Sequence, residues 1–205
     1  MGQMHNEQPS AAIRSVILCG GESRRMGRDK ALLPLQGRPM AALLAGRLEV
    51  LGPVALSVQD ADDYPDLPWP KLADEAKGCG PLGGLCAALR WAEDDLVFVC
   101  ACDLPLVQAE TALSLAAALT PEADAVVPCG LDDRLQPLCA IYRGRCLNAA
   151  RRQLAAGRLR VTELLAQLRV VAFPADCLPG GARSLTNINT PEEVTALWAR
   201  LSSAT

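Results

Sequence analysis

Short apolar runs alternate along this chain with longer stretches whose apolar residues recur at helical spacing. Ser15 to Cys19 reads as a buried strand. Met40 to Leu51 carries helical periodicity, and Gly52-Pro53 stops it. Val54 to Val58 is a second strand. Asp60 to Pro70 is polar and proline-rich and reads as a loop or a short helix, after which Pro70 to Ala73 makes a brief strand ending at Asp74. Gly78 to Gly84 reads as a glycine-rich turn, with a helix continuing from Leu85 to Trp91. Leu96 to Ala101 is β-branched and aromatic without a charge, the clearest strand of all.

The second half repeats the pattern. Ala109 to Leu119 is helical. Ala125 to Val127 and Leu138 to Tyr142 are strands around a polar turn at Asp132-Asp133-Arg134. Asn148 to Ala156 and Val161 to Leu168 are helical, and Val170 to Phe173 is a strand. Thr190 is the N-cap of a further helix, with Pro191 first and Glu193 closing a capping box. Strand then helix, repeated, predicts an α/β fold: a three-layer, mainly parallel Rossmann-like sheet with helices on both faces. Ligands of such sheets bind beyond the carboxyl ends of the strands. Gly20, Asp74 and Asp103 all fall there and face one crevice. Residues 13–205 read as one domain, after a disordered tail over residues 1–12.

Composition narrows the function classes. The 205 residues are half apolar and carry a net charge of -3. That balance argues against a nucleic-acid binder working by bulk charge. No apolar run reaches the roughly 18 residues that span a bilayer, and Met1 to Ser10 lacks a signal-peptide core, so a cytoplasmic location is expected. The nine cysteines show no repeated C-x-x-C spacing. They read as small buried hydrophobes rather than a disulfide framework; Cys100 and Cys102 lack the partners of a metal site. The sole histidine is His5, which argues against Ser-His or Cys-His catalysis.

Charge is local instead. After the first strand come Gly20-Gly21-Glu22-Ser23-Arg24-Arg25-Met26-Gly27-Arg28-Asp29-Lys30. Glycines let backbone N–H groups approach an anion, and Arg and Lys supply charge where phosphates would sit. The P-loop pattern fails, because Gly21 and Gly27 are one residue too far apart and Arg28 follows. The dinucleotide fingerprint fails because Gly20 and Gly21 are adjacent. What remains is a generic anion loop, or a tight turn beside a solvated basic face.

This stretch resembles the signature G-G-x-S-x-R-M-G-x-D-K of the molybdenum cofactor guanylyltransferase (MobA) family, within the nucleotidyltransferase superfamily. Gly80-Pro81-Leu82-Gly83-Gly84 is similar to its G-P-L-x-G element. Cys102-Asp103-Leu104-Pro105 is similar to its C-D-x-P strand end, and Asn187-Ile188-Asn189-Thr190-Pro191-Glu192-Glu193 to its N-x-N-T-P-E-E element. Two positions depart from the pattern. Cys19 stands where Ala is usual, and Ser57 stands where the family often places an Asn of longer reach.

The resemblance implies transfer of GMP from Mg²⁺-GTP to the terminal phosphate of molybdopterin or its Mo-loaded form. Lys30, Arg24 and Asp103 would be catalytic, with Lys30 and Arg24 on the triphosphate. The backbone of Leu18, Cys19, Gly20 and Gly21 would contact the nucleotide, together with Ser57 and Asp74. Asp74 would read guanine and Asp103 would hold Mg²⁺. Gly80, Pro81, Leu82, Asn187 and Asn189 would lie near the substrate. Arg25 and Arg28 fit a solvated face as well as function. Implied partners are GTP, molybdopterin, molybdenum insertion proteins and molybdoenzyme chaperones, with no nucleic acid and no membrane. Three alternatives stay open: a CTP-using cytidylyltransferase or other small-molecule nucleotidyltransferase, a nucleotide-binding module without catalysis, and a structural α/β protein whose basic loop is decoration.

Overall fold

The computed structural model describes residues 13–20, 29–75, 78–93, 95–130 and 132–202. The expected tail over residues 1–12 lies outside them, as do Gly21, Arg24, Arg25 and Arg28.

The chain runs from β1 (Arg14–Leu18) through a hairpin, β2 (Pro34–Leu35) and β3 (Arg38–Pro39), into α1 (Met40–Leu48). Gln36 and Gly37 both take positive φ, which a two-residue hairpin turn requires. Then follow β4 (Val54–Val58), β5 (Lys71–Ala73), α2 (Gly80–Ala92), β6 (Leu96–Ala101) and α3 (Ala109–Ala117). The rest is β7 (Ala125–Cys129), β8 (Cys139–Arg143), α4 (Leu147–Ala155), α5 (Val161–Leu165), β9 (Val170–Pro174) and α6 (Pro191–Ser202).

Seven strands form one sheet in the order β5-β4-β1-β6-β8-β7-β9. All are parallel except β8, which runs against both β6 and β7. Side-chain alternation assigns each face its own core. Ile17, Phe98, Cys100 and Ile141 point to the face covered by α1 and α3. Val16, Leu18, Val97, Val99 and Tyr142 point to the face covered by α2, α4 and α5. Helices on both faces of a mainly parallel sheet are the architecture that the strand–helix repeat predicts.

One element differs from its sequence reading. Gly80 to Gly84 is not a turn: α2 begins at Gly80, and the turn residue Gly78 and Cys79 precede it. Pro81 is tolerated in a first helical turn because its missing N–H has no intrahelical partner there. Gly83 and Gly84 serve packing rather than bending. A Cβ on Gly84 would stand 2.5 Å from Ser57 Oγ and 3.0 Å from Leu18 Cδ2, and one on Gly83 would stand 3.0 Å from Asp74 Oδ2. Two bare positions let the helix lie directly against the ends of β1, β4 and β5.

The capping box of α6 forms as the spacing predicts. Glu193 N–H donates to Thr190 Oγ1 (3.2 Å), while Glu193 Oε2 accepts from the N–H groups of Asn189 (2.5 Å) and Thr190 (3.3 Å). Ile188 and Val194 pack into a small separate cluster with Leu33, Leu35, Met40 and Leu43. Burial of such side chains contributes roughly 1.5–3 kcal/mol each, which docks α6 against α1 and the hairpin.

Candidate active site

Four chain segments meet at the carboxyl edge of the parallel strands. The first is the end of β1, where Cys19 N–H donates to Ser57 O (2.9 Å) and Leu18 O accepts from Cys102 N–H (3.2 Å). The second is the turn opening with Asp29, whose Oδ1 caps it by accepting from Ala31 N–H (3.0 Å). The third is the turn after β6, carrying Asp103. The fourth is the segment before α6, tied to that turn by Ile188 N–H donating to Asp103 O (2.8 Å).

Three sequence-predicted side chains come together here from distant parts of the chain. Lys30 Nζ lies 3.3 Å from Asp103 Oδ2 and donates to Asn189 Oδ1 at 2.5 Å. The Lys30 and Asp103 side chains are each mostly shielded, at 21% and 16% exposure, so their attraction is screened less than that of a surface pair. Arg47 steadies the Asp103 turn from below by donating to Pro105 O and Val107 O. Asn187 and Asn189 are both exposed, and Asn189 is the one that meets Lys30.

A second group lies along the same edge, around Asp74. Ser57 Oγ donates to Asp74 Oδ1 (3.3 Å). A Cβ on Gly20 would lie 3.5 Å from Gln59 Cγ and 3.9 Å from Asp74 Oδ2, so the end of β1 adjoins the carboxylate beside Gln59. Gly80, Pro81 and Leu82 form the first turn of α2, whose Gly83 touches the same carboxylate. Burial pushes the Asp74 carboxyl up to about 6, against the lowering effect of the Ser57 hydroxyl. A carboxyl held partly in low dielectric, with free acceptor capacity, is a recurring feature of binding sites.

The chemistry of the donor set suits magnesium. Among the described residues no group of three or more His, Cys, Asp or Glu side chains is arranged to cage a metal. Mg²⁺ ordinarily uses one or two carboxylates and takes its remaining ligands from substrate phosphates and water. A single carboxylate, Asp103, at the carboxyl edge of the sheet fits that habit.

Tyr64 and Glu75 carry no signal in the sequence. Tyr64 and Asp29 contact each other beside Cys19. Glu75, next to Asp74, accepts from Arg90 Nη1 (3.2 Å) and from Arg151 Nε (3.2 Å) and Nη2 (2.5 Å). Arg151, hydrogen-bonding first of all, holds the Glu75 carboxyl below its ordinary range. The Asp74 end of the edge is thus tied to α2 and α4. The cysteines behave as small apolar residues. Six of them are buried and only Cys177 is exposed. A hydrogen bond with Cys102, then burial, holds the Cys19 thiol well above the ordinary thiol range.

At the opposite, amino edge, burial alone would raise Asp124, but hydrogen bonds from Arg169 and Arg145 bring it down to about 2. That cluster ties β7, β8 and β9 together far from the Lys30 group, and its perturbed carboxyl is a structural one.

The sequence profile of the MobA-like NTP transferase domain matches residues 15–171. The chain belongs to this family. Within the MobA-like family it is 32% identical over 192 residues to the probable molybdenum cofactor guanylyltransferase of Bacillus subtilis, covering 92% of this chain and 96% of that one. It is 37% identical over 189 residues to the protein of the same description from Mycobacterium tuberculosis, covering 87% and 89%. Among solved structures it is similar to molybdopterin-guanine dinucleotide biosynthesis protein A from Archaeoglobus fulgidus. That match has a TM-score of 0.78 at 25% identity over 93% of this chain and 100% of the other. A 4-diphosphocytidyl-2C-methyl-D-erythritol synthase from Anaerococcus prevotii shares the fold, with a TM-score of 0.67 at 13% identity over 94% and 99%. The MobA-like structure and this more distant one thus share the fold of this chain. No helix among the described residues is long and apolar enough to cross a membrane.

Proposed function

We propose that this NTP transferase moves GMP from Mg²⁺-GTP to the terminal phosphate of molybdopterin or its molybdenum-loaded form, releasing pyrophosphate. The observation that carries the reading is the meeting of Lys30, Asp103 and Asn189 at the carboxyl edge, with Asp74 along the same edge. An anion-holding group and a base-reading group side by side match the two ends of a nucleotide. The names of the relatives supply the guanine and the pterin.

The chemistry needs no histidine. A phosphate monoester has a second pKa of about 6, so the acceptor is largely dianionic near neutrality and is its own nucleophile. Its oxygen attacks the α-phosphorus of GTP, the bridging bond to the β-phosphate breaks, and pyrophosphate leaves with the electron pair. The protein contributes position and charge. Lys30 offsets negative charge on the triphosphate, and its contacts with Asp103 and Asn189 aim the ammonium before substrate arrives. Asp103 would hold Mg²⁺, which when bound neutralises phosphate charge and supports the leaving group. Arg24, with the backbone of Leu18, Cys19, Gly20 and Gly21, completes the phosphate side of this proposal. Gly80 to Leu82 and Asn187 border the acceptor. Asp74, ionised, accepts from guanine N1–H and the 2-amino group together, a donor pair that adenine and cytosine do not present. Ser57 orients it instead of contacting the base as a longer Asn would. We place the reaction in the cytoplasm, with molybdenum insertion proteins and molybdoenzyme chaperones downstream.

A nucleotide panel with Mg²⁺ and molybdopterin, scoring pyrophosphate release, tests the proposal. GTP is expected to be turned over and CTP not. Release with CTP alone would make the chain a cytidylyltransferase, and nucleotide binding without release would leave it a binding module.

A further inference from the structure

Tyr64 sits in the loop between β4 and β5, and the proposed chemistry does not use it. It is buried, at 7% exposure, and its backbone is held at φ +56°. An aromatic residue adopts that left-handed conformation only where its surroundings over-determine it, and such strain gathers at functional sites. What over-determines Tyr64 is visible at its tip. The hydroxyl lies 2.7 Å from Asp29 Oδ2 and 3.1 Å from the carbonyl oxygen of Cys19, a three-centre arrangement. Burial, followed by the bond to Asp29, holds the phenol far above its ordinary range, so it is a neutral donor at any working pH.

Both acceptors belong to the edge of the site. Cys19 continues β1 and precedes Gly20. Asp29 precedes Lys30, and its second oxygen caps the turn that begins with Lys30. One buried hydroxyl therefore joins the fixed end of a core strand to the turn that presents the ammonium. We propose that Tyr64 is a positioning residue: its hydroxyl, acting through Asp29, fixes the Lys30 turn against the end of β1 and so sets the Lys30 ammonium between Asp103 and Asn189. The inference rests on Lys30 being the cation that meets the triphosphate. A lysine has a flexible four-carbon stem, so the backbone beneath it must be held if the ammonium is to arrive pre-aimed.

The test is Tyr64→Phe, which keeps the ring and removes the hydroxyl, with two readouts. In the free protein, amide exchange over Lys30 to Leu33 is expected to quicken about tenfold, the scale of one lost hydrogen bond to a charged group. In turnover at 25 °C, kcat is expected to fall about tenfold with the KM for GTP changed less than threefold, because misaim is felt where charge develops. A merely structural tyrosine would lower Tm and leave both readouts alone, and that result overturns the proposal. Asp29→Asn, alone and combined with Tyr64→Phe, closes a double-mutant cycle. A double variant no slower than the slower single variant supports action through Asp29, and multiplied losses refute it. Should the wild-type protein release no pyrophosphate, the transferase reading falls. The exchange measurement on the free protein still decides whether Tyr64 holds the turn.

Discussion

Asp74 makes a pH-dependent prediction whose size follows from its surroundings. Only the ionised carboxylate accepts both donors of guanine's edge; protonation replaces one acceptor by an O–H donor facing a donor. The carboxyl titrates at about 6 in the free protein. With Asp74 on the base as proposed, apparent GTP affinity is expected to fall by the factor 1 + 10^(pKa − pH), which is about elevenfold at pH 5 and about 1 at pH 8. An ordinary aspartate, at about 3.9, would weaken binding by less than about a tenth at pH 5. Asp74→Asn removes the titration and one charge-assisted hydrogen bond, and turns an amide N–H₂ toward a donor. That costs about 2–3 kcal/mol, or roughly 30- to 150-fold in affinity at pH 8. At pH 5 the wild type has already lost about tenfold, so the gap narrows to roughly 3- to 15-fold. The assay is GTP binding without acceptor from pH 5 to 8, by calorimetry or a fluorescent analogue. Taking the wild-type to Asp74→Asn ratio cancels titration of the triphosphate itself. Parallel pH profiles for the two proteins, or a midpoint below about 4.5, would refute the assignment of Asp74 to the base.

Other predictions concern the rest of the edge. Asp103→Asn is expected to cut kcat by about 10²–10³ while changing GTP affinity much less, seen by comparing turnover with equilibrium binding. Removal of divalent metal by a chelator should stop pyrophosphate release, and added Mg²⁺ should restore it. Gly84→Ala forces a methyl into the contact with Ser57 and Leu18; overpacking of about 1–3 kcal/mol should lower Tm by several degrees in a thermal melt. Arg151→Ala frees Glu75 from α4 and should raise the KM for GTP about two- to fivefold with kcat unchanged, measured by steady-state kinetics.

The sequence makes the strand ends legible because each is a sharp break from an apolar run into a glycine or a carboxylate. Gly20, Asp74 and Asp103 could be placed that way, and Thr190 could be recognised from its capping chemistry. The meeting of Lys30 with Asn189 could not, since it depends on which strands neighbour which. Nor is direction written into an apolar strand: Cys139 to Arg143 reads no differently from the other strands of the seven-stranded sheet, yet within that sheet it alone is reversed. Glycine misleads for a related reason. Gly83 and Gly84 look like a turn, but their missing side chains answer to Asp74 and Ser57 across the packing interface. Tyr64 is invisible in a polar loop, because its role comes from a backbone conformation and from two acceptors far away in the chain.

The contact between Lys30 and Asn189 spans 159 positions of the chain. During synthesis Lys30 and Asp103 emerge long before Asn189 can join them. A nascent chain that has already folded β1, β4 and β6 therefore carries an ammonium without its amide partner and lacks the helix that anchors it. Competence in such an enzyme arrives late and all at once. A ribosome stalled before Asn189, or a protease that trims back past it, would leave Lys30 without the amide that aims it.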